Sequence, residues 1–483
     1  MKREILQKEL LPGWSVMYLG DLLERVTNGL TCDQEKEPPG IPVTRIETIS
    51  NGVVNFERVR YVRDIDDAKK NRFLLQRGDI LFSHINSDPH LGKTAVVTSD
   101  KPLLHGMNLL LLRTKRELLD PYYLHYLLNY YRHIGTFMAI AQHAVNQSSL
   151  NQKKINSLEI PLAPLDLQKR IVAEIEKQFS RLDESIANLK RVKANLKRYK
   201  ASVLKAAVEG RLVETEAELA RSEGRSYETG EQLLQRILET RRSQWKGKGK
   251  YKEPAAPDTV DLPELPEGWV WAAVTQVADV ASGNTPTGIL DAVKQTGDVP
   301  WFKVGDMNHE ENQQVMRRAD AWLSLAEMTE LGLRLFSQNT VLFPKRGGAI
   351  ATNKKRRLES AGCADLNVMG ITPDGEIALY FFAWFDSVDL AGLSDGSNVP
   401  QINHKDIEPL VIPLPSLGEQ RRIVTEVDRR ISLVREIETQ VDANLQRADR
   451  LRQSILKRAF SGQLAANSEP DTEVATLLKG IGT

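Results

Sequence analysis

Cysteine is almost absent from these 483 residues. Only Cys32 and Cys363 occur, far apart in the chain, which excludes a disulfide scaffold and any Cys-x-x-Cys metal site and suits a reducing compartment. Charge of one sign is also missing: 65 Lys and Arg stand against 64 Asp and Glu, a net +1, so the overall balance announces no nucleic-acid or acidic partner and any electrostatic footprint is local. There is no run of 18 apolar residues, and the opening MKREILQKELLPGW is charged and lacks a continuous apolar stretch. Neither a signal peptide nor a membrane anchor is expected, and a cytoplasmic location is. Catalytic signatures are missing as well. No GxGxxG follows a strand, no HExxH or paired Cys/His cluster occurs, and no serine sits in a nucleophile elbow. Gly92-Lys93-Thr94 looks like the end of a phosphate-binding loop, but the earlier glycine is replaced by Ser87. His84, His90 and His105 flank turns without metal-ligand spacing, so structural or solvated histidines are the simpler reading. No catalytic residue and no metal site are expected.

What is present is a hydrophobic content of 41% with 27% charged residues, ordinary for a globular chain, and an internal repeat. Residues 148–213 and 400–465 align without a gap, with 22 of 66 pairs identical, among them Asn151 with Asn403, Gln168 with Gln420 and Gly210 with Gly462. A weaker repeat precedes each copy: Leu11-Pro12-Gly13-Trp14 answers Leu265-Pro266-Glu267-Gly268-Trp269, and Asp79-Ile80-Leu81-Phe82 answers Thr340-Val341-Leu342-Phe343. The chain thus divides into two half-molecules, each a variable unit followed by a better preserved segment.

The preserved segments have a heptad rhythm. Ile171, Ile175, Leu182, Leu189, Val192, Leu196, Tyr199 and Val203 recur in the first copy, and Ile423, Val427, Val434, Ile437, Val441, Ala448, Leu451 and Ile455 in the second. The expected helices are 168–208 and 420–460, each about 61 Å long at 1.5 Å per residue. Ser416 and Glu419 form a capping-box pattern, and Gly210 and Gly462 are natural stops. So narrow a stripe wants a partner helix, and the nearest is its own repeat, paired as an antiparallel coiled coil about a pseudo-two-fold axis; the alternative is that each helix packs on its own domain.

The variable units have mixed α/β character. Strands are expected at Val43 to Ile46, Asp79 to Phe82, Thr94 to Val97, Leu109 to Arg113, Trp301 to Val304, Val341 to Phe343 and Val368 to Thr372, and a helix at Pro121 to Tyr131. The expected division is a first variable domain at 1–150, a helix segment at 151–213, a linker with a short helix at 214–262, a second variable domain at 263–400, a second helix segment at 401–465 and a tail at 466–483.

Local charge points to one kind of ligand. KRGGAIATNKKRR at 345–357 carries six cations and no acid, and such a loop can approach a phosphate backbone and reach base edges. Its counterpart FSHINSDPHLGKTAVV is rich in hydrogen-bonding types on a turn. A solvated turn is the alternative for each. The candidate DNA-contacting residues are Arg45, His84, Asn86, Ser87 and Lys93 in the first half and Lys303, Lys345, Arg346, Asn353 and Lys354 in the second. The first preserved segment is also basic, 14 Lys and Arg against 7 acids, whereas the second has 11 against 9.

These motifs together resemble the DNA-specificity subunits of Type I restriction-modification systems. The carriers are the LPxGW-like openings at Leu11 and Leu265, the IPLxxLxxQxxIV signatures at 160–172 and 412–424, GDILFSHINS with GKTAVV in the first unit, and GNTPTG, VPWFKVGDM and VLFPKRGG in the second. The resemblance implies an α+β fold with two target-recognition domains separated by two long conserved helices. Each domain would read one half of a split, asymmetric site on double-stranded DNA. It implies a non-catalytic chain docked with two methyltransferase and two restriction subunits. S-adenosylmethionine, ATP and Mg2+ would belong to those partners, with adenine methylation and ATP-dependent cleavage as the outputs. The absence of an Asn/Asp-Pro-Pro-aromatic motif agrees with a methyltransferase on another chain. A self-contained nuclease or methyltransferase and a coiled-coil adaptor without DNA are the other classes.

Overall fold

The computed structural model describes residues 13–144, 147–247 and 249–464. The expected contribution of Leu11 and Pro12 and the tail 466–483 lie outside the described residues. The chain forms two compact units: one holds the residues up to Val192 together with those from Val441 onward, the other Lys193–Gln440.

In the first unit an antiparallel sheet runs in the order Leu23–Asn28, Leu110–Thr114, Ile80–Phe82, Thr94–Val96. Side chains alternate across a strand, and both faces are covered here. Ile80, Phe82, Leu110 and Leu112 pack with Tyr123, Leu124, Leu127 and Leu128 of the helix Pro121–His133, whereas Leu81, Ala95, Leu109 and Leu111 pack with Ile49, Leu75 and Leu103. Burial on both faces is why residues 109–112 read as four consecutive leucines instead of an alternating pattern. Asp120 caps the helix by accepting the N–H groups of Tyr122 and Tyr123 at 2.9 and 3.0 Å.

The second unit repeats this frame on its own. Ala278–Ser282, Val368–Pro373, Val341–Pro344 and Arg356–Leu358 follow in the same order, with Val315–Met316 added at the edge. The helix Ala378–Ser387 covers one face. Two ties recur in both units. Tyr123 donates its hydroxyl to the Pro161 carbonyl at 2.8 Å and Tyr380 to the Pro413 carbonyl at 2.6 Å. Likewise Ser15–Tyr18 pairs with Glu159–Leu162, as Val270–Ala273 pairs with Val411–Leu414.

Two expected strands end early for a shared reason. The first strand stops at Val43 because the Arg45 N–H bonds to Thr48 Oγ1 at 2.8 Å and a 3-10 turn, Ile46–Ile49, begins. Its counterpart Val299–Phe302 ends where the Lys303 N–H bonds to Asp306 Oδ2 at 2.6 Å and the turn Val304–Asn308 begins.

The preserved segments fold as helices of 44 residues each, Leu165–Val208 and Leu417–Phe460. Both start three residues before the expected positions, so Gln168 and Gln420 lie inside the first turn. There their buried Nε2 groups bond the carbonyls of Ala163 at 2.8 Å and Pro415 at 2.9 Å. Both end before glycines with positive φ, 67° at Gly210 and 77° at Gly462. Half of the expected capping box forms. The Glu419 N–H bonds to Ser416 Oγ at 3.2 Å, but the carboxylate turns away to accept Trp269 Nε1 at 3.0 Å and the Glu216 N–H at 2.9 Å.

Each long helix gives its N-terminal part to one unit and its C-terminal part to the other. Within the first unit, Ile171 and Ile175 share a core with Ile455, Leu456 and Ala459, and further along Arg452 pairs with Asp183 and lies 4.5 Å over the Phe179 ring. Rising numbers on one helix meet falling numbers on the other, so the pairing is antiparallel. Within the second unit Val203, Leu204 and Ala207 join Ile423, Val427 and Ile431. The two expectations combine, because each helix packs on its own domain at its first turns and also against the other helix. Of the expected seam, Leu182, Leu189, Val434 and Val441 are buried and Leu196 and Leu451 half-buried, whereas Val192, Tyr199 and Ile437 are exposed.

The expected linker is more than a tether. Helices Glu216–Glu223 and Gly230–Ser243, each opened by a threonine capping box, occupy its first part, and Leu233, Leu234 and Ile237 enter the core of the second unit. WKGKGKYKEPAAPD carries no helix or strand among its described residues.

Candidate nucleic-acid interface

In the first unit the loop after Ile80–Phe82 is closed by two backbone bonds of 2.8 Å, Ser83 N–H to Lys93 O and Gly92 N–H to Ser83 O. Its flank is the hairpin Gln142–Ala144 with Gln147–Ser149, whose second strand pairs with Ile85–Asn86. Sequence reasoning missed this hairpin, although the repeat places 148–149 opposite 400–401, just ahead of the matched Asn151 and Asn403. The hairpin is locked by side chains: His143 Nδ1 lies 2.8 Å from Ser148 Oγ, which donates to Asp88 Oδ1 at 2.5 Å.

The candidate residues of this unit separate. Ser87 is exposed at the loop tip. Asn86 is half-buried and shapes the tip, bonding Ser83 Oγ at 3.1 Å and accepting the Ser87 N–H at 2.9 Å. Lys93 reaches the Ser50 carbonyl at 3.1 Å, and burial with nearby Arg132 lowers its pKa. Arg45 bonds Gln34 Oε1 at 3.2 Å beside Glu47. His84 lies inside the loop. Its side chain is buried, its ring is pushed down to about 4 by desolvation and so is neutral, and its carbonyl accepts the Leu150 N–H. It holds the loop to the chain ahead of the helix and does not present a cation. Thr94 of the P-loop-like triplet is spent on His125 Nδ1 at 2.9 Å.

The second unit builds the same joint from other residues. Ile402 N–H bonds the Lys345 carbonyl at 2.9 Å, as Leu150 bonds His84, and Gly347 N–H bonds the Pro400 carbonyl at 2.8 Å. Lys345 Nζ lies 3.0 Å from Ser282 Oγ, and Arg346 is exposed beside it. Gly347 has φ of 76°, and a Cβ at Gly347 or Gly348 would meet nothing within 4 Å. Two cations therefore border a bare stretch of backbone that a ligand can approach closely.

The basic run does not point one way. Lys354 bonds Asn308 Oδ1, and Lys303 sits 4.8 Å above the Trp301 ring. Asn353 adopts a left-handed conformation at φ 52°, and its Oδ1 accepts the Leu390 N–H at 2.9 Å and Lys355 Nζ at 3.1 Å. Its side chain is an internal brace. Lys355 is 2% exposed, and Arg356 and Arg357 are half-buried on a strand, bonded to the Asn312 carbonyl and to Asn339. Three of the six cations thus point inward. Asp306, His309 and Asp320 converge closely enough for a cation, yet the Asp306 carboxylate already accepts the N–H groups of Lys303 and Asp320 at 2.6 and 3.1 Å. That arrangement is accounted for as a loop brace.

The family profile described as Type I restriction modification DNA specificity domain matches residues 12–198 and again 266–447. The chain belongs to that family. Specificity-domain relatives include the putative type I restriction enzyme MjaX specificity subunit of Methanocaldococcus jannaschii, 48% identical over 176 residues, which are 36% of this chain and 41% of that protein. The EcoAI specificity subunit of Escherichia coli is 23% identical over 88% of this chain and 78% of its own length. The chain spans less than half the length of the first curated relatives it matches. Among solved structures, a chain described under complex assembly and conformational transition of the type I R-M system aligns over 94% of this chain and 99% of its own. Its TM-score is 0.63 at 19% identity, so the likeness is one of fold. The HsdS subunit from Thermoanaerobacter tengcongensis aligns over 94% and 98% with a TM-score of 0.50, also at 19% identity. The specificity-domain fold is thus present twice in this chain, and no described helix is long and apolar enough to cross a membrane.

Proposed function

We propose that the two halves read two different short sequences of one split DNA site, and that the long helices fix the distance between them. One observation carries this reading. The joint in which Leu150 bonds His84 and Ile402 bonds Lys345 is the same in both halves, while the loop it presents differs, His-Ile-Asn-Ser against Lys-Arg-Gly-Gly. A constant frame with a changed tip is what two readers of unlike sequences require. A helix of 44 residues is about 66 Å long at 1.5 Å per residue, which caps the separation of the half-sites near 19 base pairs at about 3.4 Å each. Two methyltransferase and two restriction subunits dock on this chain in our reading. S-adenosylmethionine, ATP and Mg2+ act in those subunits, for adenine methylation and ATP-dependent cleavage in the cytoplasm, and this chain contributes no catalytic group. In the first half Ser87, Asn86, Lys93 and Arg45 border the DNA, in the second Lys345, Arg346, Lys354 and Lys303.

The test is single-molecule methylome sequencing of a methylation-free host that expresses this chain with its neighbouring methyltransferase, against the methyltransferase alone. Modified adenines in one bipartite motif only when this chain is present support the reading. Methylation that is unchanged by its omission overturns it and favours the adaptor.

A further inference from the structure

One groove of the second unit shares only Lys354 with the DNA-facing residues proposed above. It has a volume of about 480 Å³ and opens between the turn at 307–314, the basic run at 352–356, the helix Ala378–Ser387 and residues 431–438 of the second long helix. Its apolar lining is the half-buried Phe382 with the buried Met307, Ile431 and Val434, and Asn308, Gln313 and Gln314 line it too. Cations dominate the rest: Lys200, Lys354, Lys355, Arg356 and Arg435 against Glu310, Asp386 and Glu438. Of those acids, Asp386 is already paired with Lys200 at 3.2 Å.

Arg435 is the informative residue. Its guanidinium makes no hydrogen bond and no close ion pair among the described residues; the residue is half-buried and held below the usual arginine range by desolvation, with Asp386, Asp428 and Glu438 in its wider surroundings. A guanidinium presents a planar fork of donors that matches phosphate in two parallel bonds, and leaving that fork partly dehydrated without an acceptor is costly. Lys355, behind it, spends its donors on Asn353 Oδ1 and the carbonyls of Asp386 and Val388, and burial pushes it down to about 8. Five cations thus line the groove against three acids, one of them already paired, so the wall keeps a net positive charge. The volume falls within the range of small-ligand sites, roughly 300–1,000 Å³.

We propose that this groove binds a phosphate-bearing ligand of nucleotide size, with the phosphate on Arg435 and Lys354 and a flat ring on Phe382, Ile431 and Val434. The phosphate is that of a free nucleotide, and capture of a DNA backbone phosphate by the same side chains is the competing outcome of the test. The assignment does not rest on the DNA-reading role of the loops.

Calorimetric titration of the full chain with inorganic phosphate and with AMP is the first arm, and anisotropy of a labelled duplex is the second. Each is run on the parent and on the variants Arg435→Gln with Lys354→Gln, and Arg435→Lys, which keeps the charge but loses the fork. Saturable AMP binding that weakens at least tenfold in the double variant, and less in Arg435→Lys, at unchanged Tm, supports a free nucleotide. Absence of AMP binding with duplex affinity lowered tenfold in the same variants overturns the proposal and returns the groove to the DNA-facing surface. The proposal is overturned if neither ligand responds to the substitutions, or if AMP binds parent and variants equally. Lys345→Ala with Arg346→Ala separates the two ideas, since it lowers duplex affinity and leaves AMP binding intact.

Discussion

Just ahead of the central strand the first half places Asp79 and the second Thr340, and across the sheet from them stand Arg113 and Thr372. In the first half the pair is a buried bidentate ion pair with bonds of 2.7 and 2.8 Å, and in the second a single hydroxyl–hydroxyl hydrogen bond of 2.8 Å. The sheet order around them is unchanged. The frame thus demands that two buried polar groups satisfy each other and is indifferent to whether they are charged. The loops obey the same logic. The joint to the residues before each long helix is constant, while the tip is polar and side-chain-rich in one half and cationic and glycine-bare in the other. Histidine is uneven too: six of the eight lie in the first half, and His84, His105 and His125 are each pushed down to about 4 by desolvation.

The largest difference between the halves is expected in acid. A histidine whose folded pKa is near 4 and whose unfolded pKa is about 6.5 holds fewer protons in the folded state, so stability is complete above pH 6.5 and is lost as pH falls toward 4. The loss reaches up to about 3 kcal/mol per histidine. Hydrogen exchange followed by mass spectrometry at pH 7 and pH 4.5 is expected to deprotect peptides around residues 80–130 well before those around 340–385; equal behaviour would break the comparison. Next in size, Asp79→Ala is expected to cost about 3–5 kcal/mol by stranding Arg113, whereas Thr340→Val costs about 1 kcal/mol. Placing Thr at both 79 and 113 is expected to recover most of the loss, as denaturant unfolding can measure.

Lys345→Ala with Arg346→Ala is expected to weaken duplex binding by about 1–3 kcal/mol and to reduce the salt slope by roughly 1–2. Ser87→Ala in the first loop is expected to change affinity by less than about 0.5 kcal/mol and to leave the slope unchanged, because it removes no charge; a slope change there would count against the assigned roles. The smallest effects sharpen the repeat: Tyr123→Phe and Tyr380→Phe each remove one buried hydrogen bond to a proline carbonyl and are expected to cost a similar 1 kcal/mol or so. A large inequality between them would mean that the two ties are not equivalent.

Much of this was legible beforehand because it depends on periodicity. The long helices, their glycine stops and the central strands at Ile80, Leu110, Val341 and Val368 follow from heptad spacing and short apolar runs. The candidate surface was legible only as a stretch of chain. KRGGAIATNKKRR reads as a uniform cationic loop, yet a 3-10 turn and the left-handed Asn353 divide it, sending Lys355, Arg356 and Arg357 inward. His84 reads as a polar loop residue, but its carbonyl is tied to the Leu150 N–H, 66 positions later, and no local signal marks that partner. The linker reads as holding one short helix, and Gly230–Ser243 is that helix; Glu216–Glu223 is too short to mark itself, and the place of Leu233, Leu234 and Ile237 in a core is set by segments elsewhere.

The sequence by itself determined that the molecule is a duplicated one, with long helices ending at Gly210 and Gly462, because repetition and periodicity are properties of order along the chain. Which cations face outward, which histidines are neutral, and that Glu419 leaves its capping box for Trp269 were decided by the tertiary structure. Burial and hydrogen-bond partners are set by segments distant along the chain: 33 residues separate Lys355 from Val388 and 150 separate Glu419 from Trp269, and only the closed fold brings them within reach.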